Sequence, residues 1–244
     1  MTLPPTNGKK LTWDPIFPAP FESGWSIFSK LVALNNINLN ELRNLIQRED
    51  AMGRNLTLLD CSDSSWIDFE RFSILLDVDE RRLKDGFWDQ LGITPKITSR
   101  YEVRRCPQCW ELGYHCLLFD LSILSSCPWH RCPLTKSCAG CAFPTTFAIR
   151  TADGIRNSRF CPRCGTTLRS FTSLISLKRI SRHDAAMIIG YCREFIDWWQ
   201  LVGEKIPARD LILADILHIG SDTLETQKSS AWQIGYVFSG IGDM

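Results

Sequence analysis

Four short ligand pairs, each with two residues between its members, constrain this chain more than any other feature. Cys106 and Cys109, Cys127 and His130, Cys138 and Cys141, and Cys161 and Cys164 fall within 59 residues. A pair at this spacing forms a knuckle whose turn points both side chains at one ion, and Zn²⁺ takes four such donors in a tetrahedron, so knuckles are used two at a time. Loops of 17 and 19 residues separate the members of sequential pairs, in or close to the range of two-knuckle sites. Pro107, Pro128 and Pro162 follow the first ligand of three knuckles, and Gly140 and Gly165 suit the turns. Sequential pairing gives a three-cysteine, one-histidine site (Cys106, Cys109, Cys127, His130) and a four-cysteine site (Cys138, Cys141, Cys161, Cys164). A cross-brace, first knuckle with third and second with fourth, stays open. Such modules have a shorter central gap than the seven residues from Arg131 to Ser137, which favours sequential pairing.

Both sets are closed, with four protein donors and no place for the water that a catalytic zinc keeps. A zinc deaminase would also need a His-x-Glu beside its ligands, and none of the four histidines offers one. No P-loop, dinucleotide turn or paired-carboxylate motif is present. The expectation is two structural Zn²⁺ ions that order a segment too small to order itself, in a protein that is not an enzyme. Among the other candidates, Cys116 and Cys132 lie close enough to compete as ligands, and Cys132 could replace His130. Cys61 and Cys192 read as small buried hydrophobes. His115, His183 and His218 read as helix-surface or capping residues, and Trp198-Trp199 as core plus interface.

The net charge of +1 conceals an asymmetry. Between positions 96 and 182 there are 14 Lys and Arg against 4 Asp and Glu, a formal +10 that leaves −9 elsewhere. Seven thiolates and two Zn²⁺ would lower the segment to about +7, still basic. That surplus suits nucleic acid, with Arg104, Arg105, Arg156, Arg159 and Arg163 as candidate contacts. It equally suits an internal interface with the acidic remainder.

The fold class expected is mainly α, with small zinc-ribbon or knuckle β elements. Residues 1–19, rich in proline, read as an extended arm. Residues 20–100 read as a helical, helix-turn-helix-like domain. Its helices are expected from Glu22 to Asn35, from Leu39 to Ile46 behind an Asn38 cap, from Asp63 or Ser64 onward, and through Leu83, Phe87 and Leu91 to Gly92. Residues 101–172 form the double zinc module. In residues 173–244, a long helix opens at Ser181 or His183, and shorter segments follow at Leu211–His218 and Trp232–Phe238. No secretory signal is evident. No apolar run of about 18 residues suggests a membrane span. Eleven cysteines in such a chain point to reduced thiols in the cytoplasm.

These residues resemble a known family. Cys106-Pro107-Gln108-Cys109, then Cys127-Pro128-Trp129-His130-Arg131-Cys132-Pro133-Leu134, then Cys138-Ala139-Gly140-Cys141 and Cys161–Gly165 are similar to the "CPxC … CPxHxxxL … CxxC … CxxCG" signature of the TniQ/TnsD transposon target-selection proteins. Pro20, Glu22, Ser23, Trp25 and Leu31 sit where that family has a "P…ES…S…RLA" helix, with Lys30-Leu31-Val32 replacing the usual Arg-Leu-Ala. The resemblance covers about residues 15–170. It implies an accessory factor of DNA transposition in the bacterial cytoplasm, associated with the nucleoid. Such a factor recognises DNA or an RNA-guided effector complex and recruits an AAA+ transposition regulator (TnsC-like), in some members as a homodimer. The long C-terminal extension of the TnsD branch is missing, which fits a bridging adaptor. The competing reading is a zinc-dependent, DNA-binding transcriptional regulator.

Overall fold

The structure, a computed structural model, describes residues 11–51, 63–93, 103–121, 124–138, 140–143, 161, 163–165 and 180–202. Its regular structure is helical. Helix α1 spans Gly24–Asn35, where the Ser23 side chain accepts from the Ser26 amide and Asn36 stops the helix in the left-handed conformation. Helix α2, Leu39–Ile46, opens on a capping box: Asn38 accepts from the Glu41 amide and the Glu41 carboxylate accepts from the Asn38 amide. The expected boundaries of both helices agree with the structure to within two residues.

The third helix starts later than its apolar spacing suggests. Ser64 is tied through its amide and hydroxyl to the Asp89 carboxylate, and Ile67 pairs with Gln47 in an isolated β-bridge. The chain is therefore committed to other partners until Asp68 caps α3, Phe69–Leu76. Asp77, left-handed, turns it into α4, which spans only Glu80–Lys84. Phe87 and Leu91 fall beyond α4, in a turn and a 3-10 segment, Asp89–Leu91, that Gly92 ends at φ 70°.

The described part of the proline-rich arm, residues 11–19, holds no helix or strand, turns where the Phe17 amide bonds the Asp14 carbonyl, and is packed. Leu11 and Phe17 are buried, and the Arg82 guanidinium holds the carbonyls of Pro15, Ile16 and Pro18. Helix α5, Pro107–Glu111, begins inside the first knuckle, with Pro107 in its first turn, and runs past Cys109. Helix α6, Arg182–Val202, begins where Ser181 accepts from the Asp184 amide. Strand structure among the described residues is confined to isolated bridges, two of them in the cysteine-rich region: Arg105 with Thr135 and Ser126 with Pro133. No helix among the described residues is long and apolar enough to cross a membrane.

Two apolar cores result, and they interleave in sequence. The first packs Phe28, Phe72, Phe87 and Trp66 from the helical region with Val103 and Trp110. The second packs Ala19, Phe21, Trp88 and Ile93 with Leu117, Phe119 and the α6 residues Ile188 and Trp199. Each core takes residues from both sides of position 100, so the helical part and the cysteine-rich part support one another.

The expectations for residues 1–10, Cys61, Arg156, Arg159 and the segments at Leu211–His218 and Trp232–Phe238 fall outside the described residues.

Candidate metal centres

The knuckles share a local design. In three of them the fourth residue after the first ligand returns its amide to that ligand's carbonyl: Arg131 to Cys127 at 2.8 Å, Ala142 to Cys138 at 2.8 Å and Gly165 to Cys161 at 2.9 Å. All three returning residues are left-handed, at φ 54°, 56° and 68°. Glycine adopts that backbone freely, whereas arginine and alanine are held there at a cost of roughly 1–2 kcal/mol. The left-handed place in the third knuckle thus belongs to Ala142 and not to Gly140, whose amide donates instead to Cys138 Sγ at 3.3 Å. In the knuckle that opens with Cys106, Pro107 carries the turn on into α5 and the left-handed residue is Gly113. There Cys106 Sγ serves as the helix cap, accepting from the Cys109 amide at 3.4 Å.

These turns bring the donors together sequentially. Cys106, Cys109, Cys127 and His130 form one group and Cys138, Cys141, Cys161 and Cys164 another, with all donor atoms of a group within 4.8 Å of one another. In the first, His130 Nδ1 is 3.3 Å from both Cys106 Sγ and Cys109 Sγ, and Cys109 Sγ is 4.0 Å from Cys127 Sγ. In the second, Cys138 and Cys164 are 3.7 Å apart and Cys141 and Cys161 3.4 Å. A zinc–sulfur bond of about 2.3 Å gives a tetrahedral sulfur–sulfur edge of about 3.8 Å, so both groups have the size of a four-coordinate metal site. No cross-brace grouping occurs among the described residues.

The thiols of the first group hold charge unequally. Hydrogen bonds from the Cys106 and Cys109 thiols hold Cys127 down to about 5. Burial, reinforced by its neighbours, pushes Cys109 far up. One thiolate is thus stabilised by the remaining thiols, and a divalent ion bound there would let the others ionise as well. The indole N–H of Trp129 donates to Cys109 Sγ at 3.2 Å. Its ring packs on Tyr114, Phe119 and Tyr191 of α6, so the outer partner of the first centre belongs to the second core.

A polar seam joins this centre to α1. Glu22, Ser23 and Lys30 are each no more than 2% exposed. Lys30 Nζ lies 2.5 Å from Glu22 Oε1 and 5.0 Å from the centre of the Phe17 ring. Glu22 also accepts from the Ser26 hydroxyl at 2.6 Å and the Ala19 amide at 3.0 Å. Ser23 bonds His115 twice, amide to carbonyl at 2.9 Å and hydroxyl to Nδ1 at 2.8 Å. His115 Nε2 lies 2.8 Å from the Arg104 carbonyl, which fits a neutral ring that donates from Nε2 and accepts at Nδ1. Close approach is needed here as well: a Cβ on Gly86 would sit 2.5 Å from the Glu22 carbonyl.

Three sequence expectations are corrected by this seam. His115 is not a surface or capping residue: it is fully buried, and desolvation lowers its pKa to about 4 despite its bond to the Arg104 carbonyl. Arg104 is not displayed for nucleic acid, because it is buried and its guanidinium bonds the carbonyls of Leu121 and Leu124. Cys116 is not a competing ligand, since it is buried 3.7 Å from Cys192 of α6. Arg105 lies over the Trp110 ring, 5.4 Å from its centre, while Arg163 and His183 are exposed. The Glu22–Lys30 pair had no signal in the residues themselves beyond the helical spacing of eight.

Compared with known proteins, the chain matches no family model and no curated protein.

Proposed function

We propose that this chain is a TniQ-like accessory protein of DNA transposition, which links target recognition to an AAA+ transposition regulator and is held together by two structural zinc ions. The observation that carries the reading is the seam at Glu22, Ser23 and Lys30. Of the residues that resemble the family's N-terminal motif, Ser23 bonds His115 of the cysteine-rich module and Glu22, beside it, is buried with Lys30. Lys30, standing where that family has arginine, is the positive partner of Glu22 in this chain. Zinc suits the donor sets, because three thiolates with one imidazole, or four thiolates, in a closed tetrahedron make a structural site and leave no position for catalysis.

The transcriptional-regulator reading rests on the α3–α4 pair, two short helices that turn at the left-handed Asp77. Its chemistry favours that reading less. Helix α4 has five residues, Arg82 is engaged by the arm, and the adjacent cleft is lined by Glu49, Asp50, Asp68, Glu70 and Glu80 against Arg48 and Lys84. Phosphate would be repelled there, so the basic zinc module, with Arg163 exposed, is the better face for nucleic acid.

The test is co-purification of the full chain with an AAA+ ATPase encoded beside it, together with duplex binding across a salt series. Retention of the ATPase, with weak and salt-sensitive DNA binding, is the expected result. Tight binding of one short duplex with no retention of the ATPase would overturn the adaptor reading in favour of the regulator.

A further inference from the structure

A fifth soft donor stands beside the first centre. Arg131, left-handed at φ 54°, reverses the chain directly after His130. The Cys127 amide then bonds the Cys132 carbonyl at 2.9 Å, and Ser126 pairs with Pro133. This closed loop returns Cys132 to the cluster. Its Sγ lies 3.3 Å from Cys106 Sγ, the same separation that His130 Nδ1 has from that sulfur. The distance far exceeds a disulfide bond of about 2.05 Å and approaches the edge of a zinc tetrahedron. Cys132 is only partly buried, unlike Cys106, Cys109 and Cys127, so its side chain has room to turn toward the ion. A thiolate is also a softer donor than an imidazole.

We propose that the first centre has a reserve ligand: Cys132 takes the fourth position when His130 leaves it. The exchange breaks the metal–Nδ1 bond and forms a metal–Sγ bond, the thiol proton goes to solvent, and no electrons are transferred. The ion passes from three sulfurs and one nitrogen to four sulfurs, and the centre becomes one unit more negative. Soft divalent ions such as Cd²⁺ favour the exchanged form. This inference rests on reading the clusters as metal centres.

The full-length chain loaded with Co²⁺ tests it, because thiolate-to-metal absorption reports the number of sulfurs bound. The wild type is expected to bind two equivalents, and C132S is expected to do the same with an unchanged spectrum. H130A should keep both equivalents while its thiolate absorption rises by about one part in seven, as seven sulfur ligands become eight. The double variant H130A/C132S should keep only the ion of the second centre. If H130A alone binds one equivalent, with the second centre intact, the reserve ligand is overturned and the metal reading stands. Fewer than two equivalents in the wild type would overturn both. Should H130A not fold, the ¹¹³Cd resonance of the wild-type first centre is expected at a four-thiolate shift that C132S moves to a three-thiolate one. A resonance that C132S leaves in place would contradict the proposal.

Discussion

His115 is held neutral by its surroundings, and the consequence can be measured at the level of one residue. The imidazole titrates at 6.5 when free and at about 4 in the folded chain, because burial disfavours its charged form. Between those values the unfolded chain binds a proton that the folded chain refuses. Stability therefore falls as pH falls through that window, by on the order of 3 kcal/mol over its full width. H115Q keeps a donor and an acceptor but does not titrate. Between about pH 7 and about pH 5 it should lose about 2 kcal/mol less than the wild type in chemical denaturation, and equal losses would assign the acid sensitivity elsewhere. The neighbouring ion pair behaves differently. K30M would leave the Glu22 carboxylate buried without its cation, at a cost of about 3–5 kcal/mol, whereas K30M/E22Q removes both charges and should recover most of that. A K30M chain as stable as the wild type would show that the pair does not hold the seam. Neither residue announces its role in the sequence, since a buried histidine and a buried lysine look like surface residues until their partners, 92 and 8 positions away, are known.

At the scale of elements, the legible parts are those decided locally. The Asn38–Glu41 capping box fixes the start of α2 within four residues of sequence, and the knuckles are set by ligand spacing and a returning amide. The start of α3 was not legible, because Ser64 is claimed by Asp89, 25 positions on, and the apolar spacing through Trp66 and Phe69 says nothing of that. The arm shows the same limit from the other side. Its prolines indicate extension, but only the fold brings Arg82 to its carbonyls, 64 to 67 positions away. R82A is expected to open residues 11–19 to limited proteolysis several-fold faster while amide exchange at Phe28 and Phe72 stays slow. If arm cleavage is unchanged, Leu11 and Phe17 hold it without the guanidinium.

On the scale of the whole molecule, the two donor clusters were readable because paired donors at short spacings are brought together by local turns, and sequential grouping agrees with the wide central gap. The seam and the two interleaved cores were not, because they depend on pairs far apart in sequence. That interleaving makes the first centre part of the core. Trp129, bonded to Cys109 Sγ and packed on α6, couples the centre to Trp199 and Ile188 through the second core. W129F keeps most of the packing and loses the indole donor, so zinc affinity at the first centre should fall by about tenfold or more while the second is unaffected. Loss of affinity at both centres would mean that the ring acts by packing. Metal and fold should also be lost together, the first centre costing more than the second. C106S is expected to lower the thermal transition of the helical region, whereas C161S loses one equivalent and leaves α1 to α4 folded. The most direct measurement is the zinc content of the intact, natively purified chain by elemental analysis and native mass spectrometry. Two zinc ions per chain, with removal by chelator abolishing the cooperative unfolding transition, is the expected result; a folded chain that carries fewer than two, or that keeps its transition after chelation, would contradict the account.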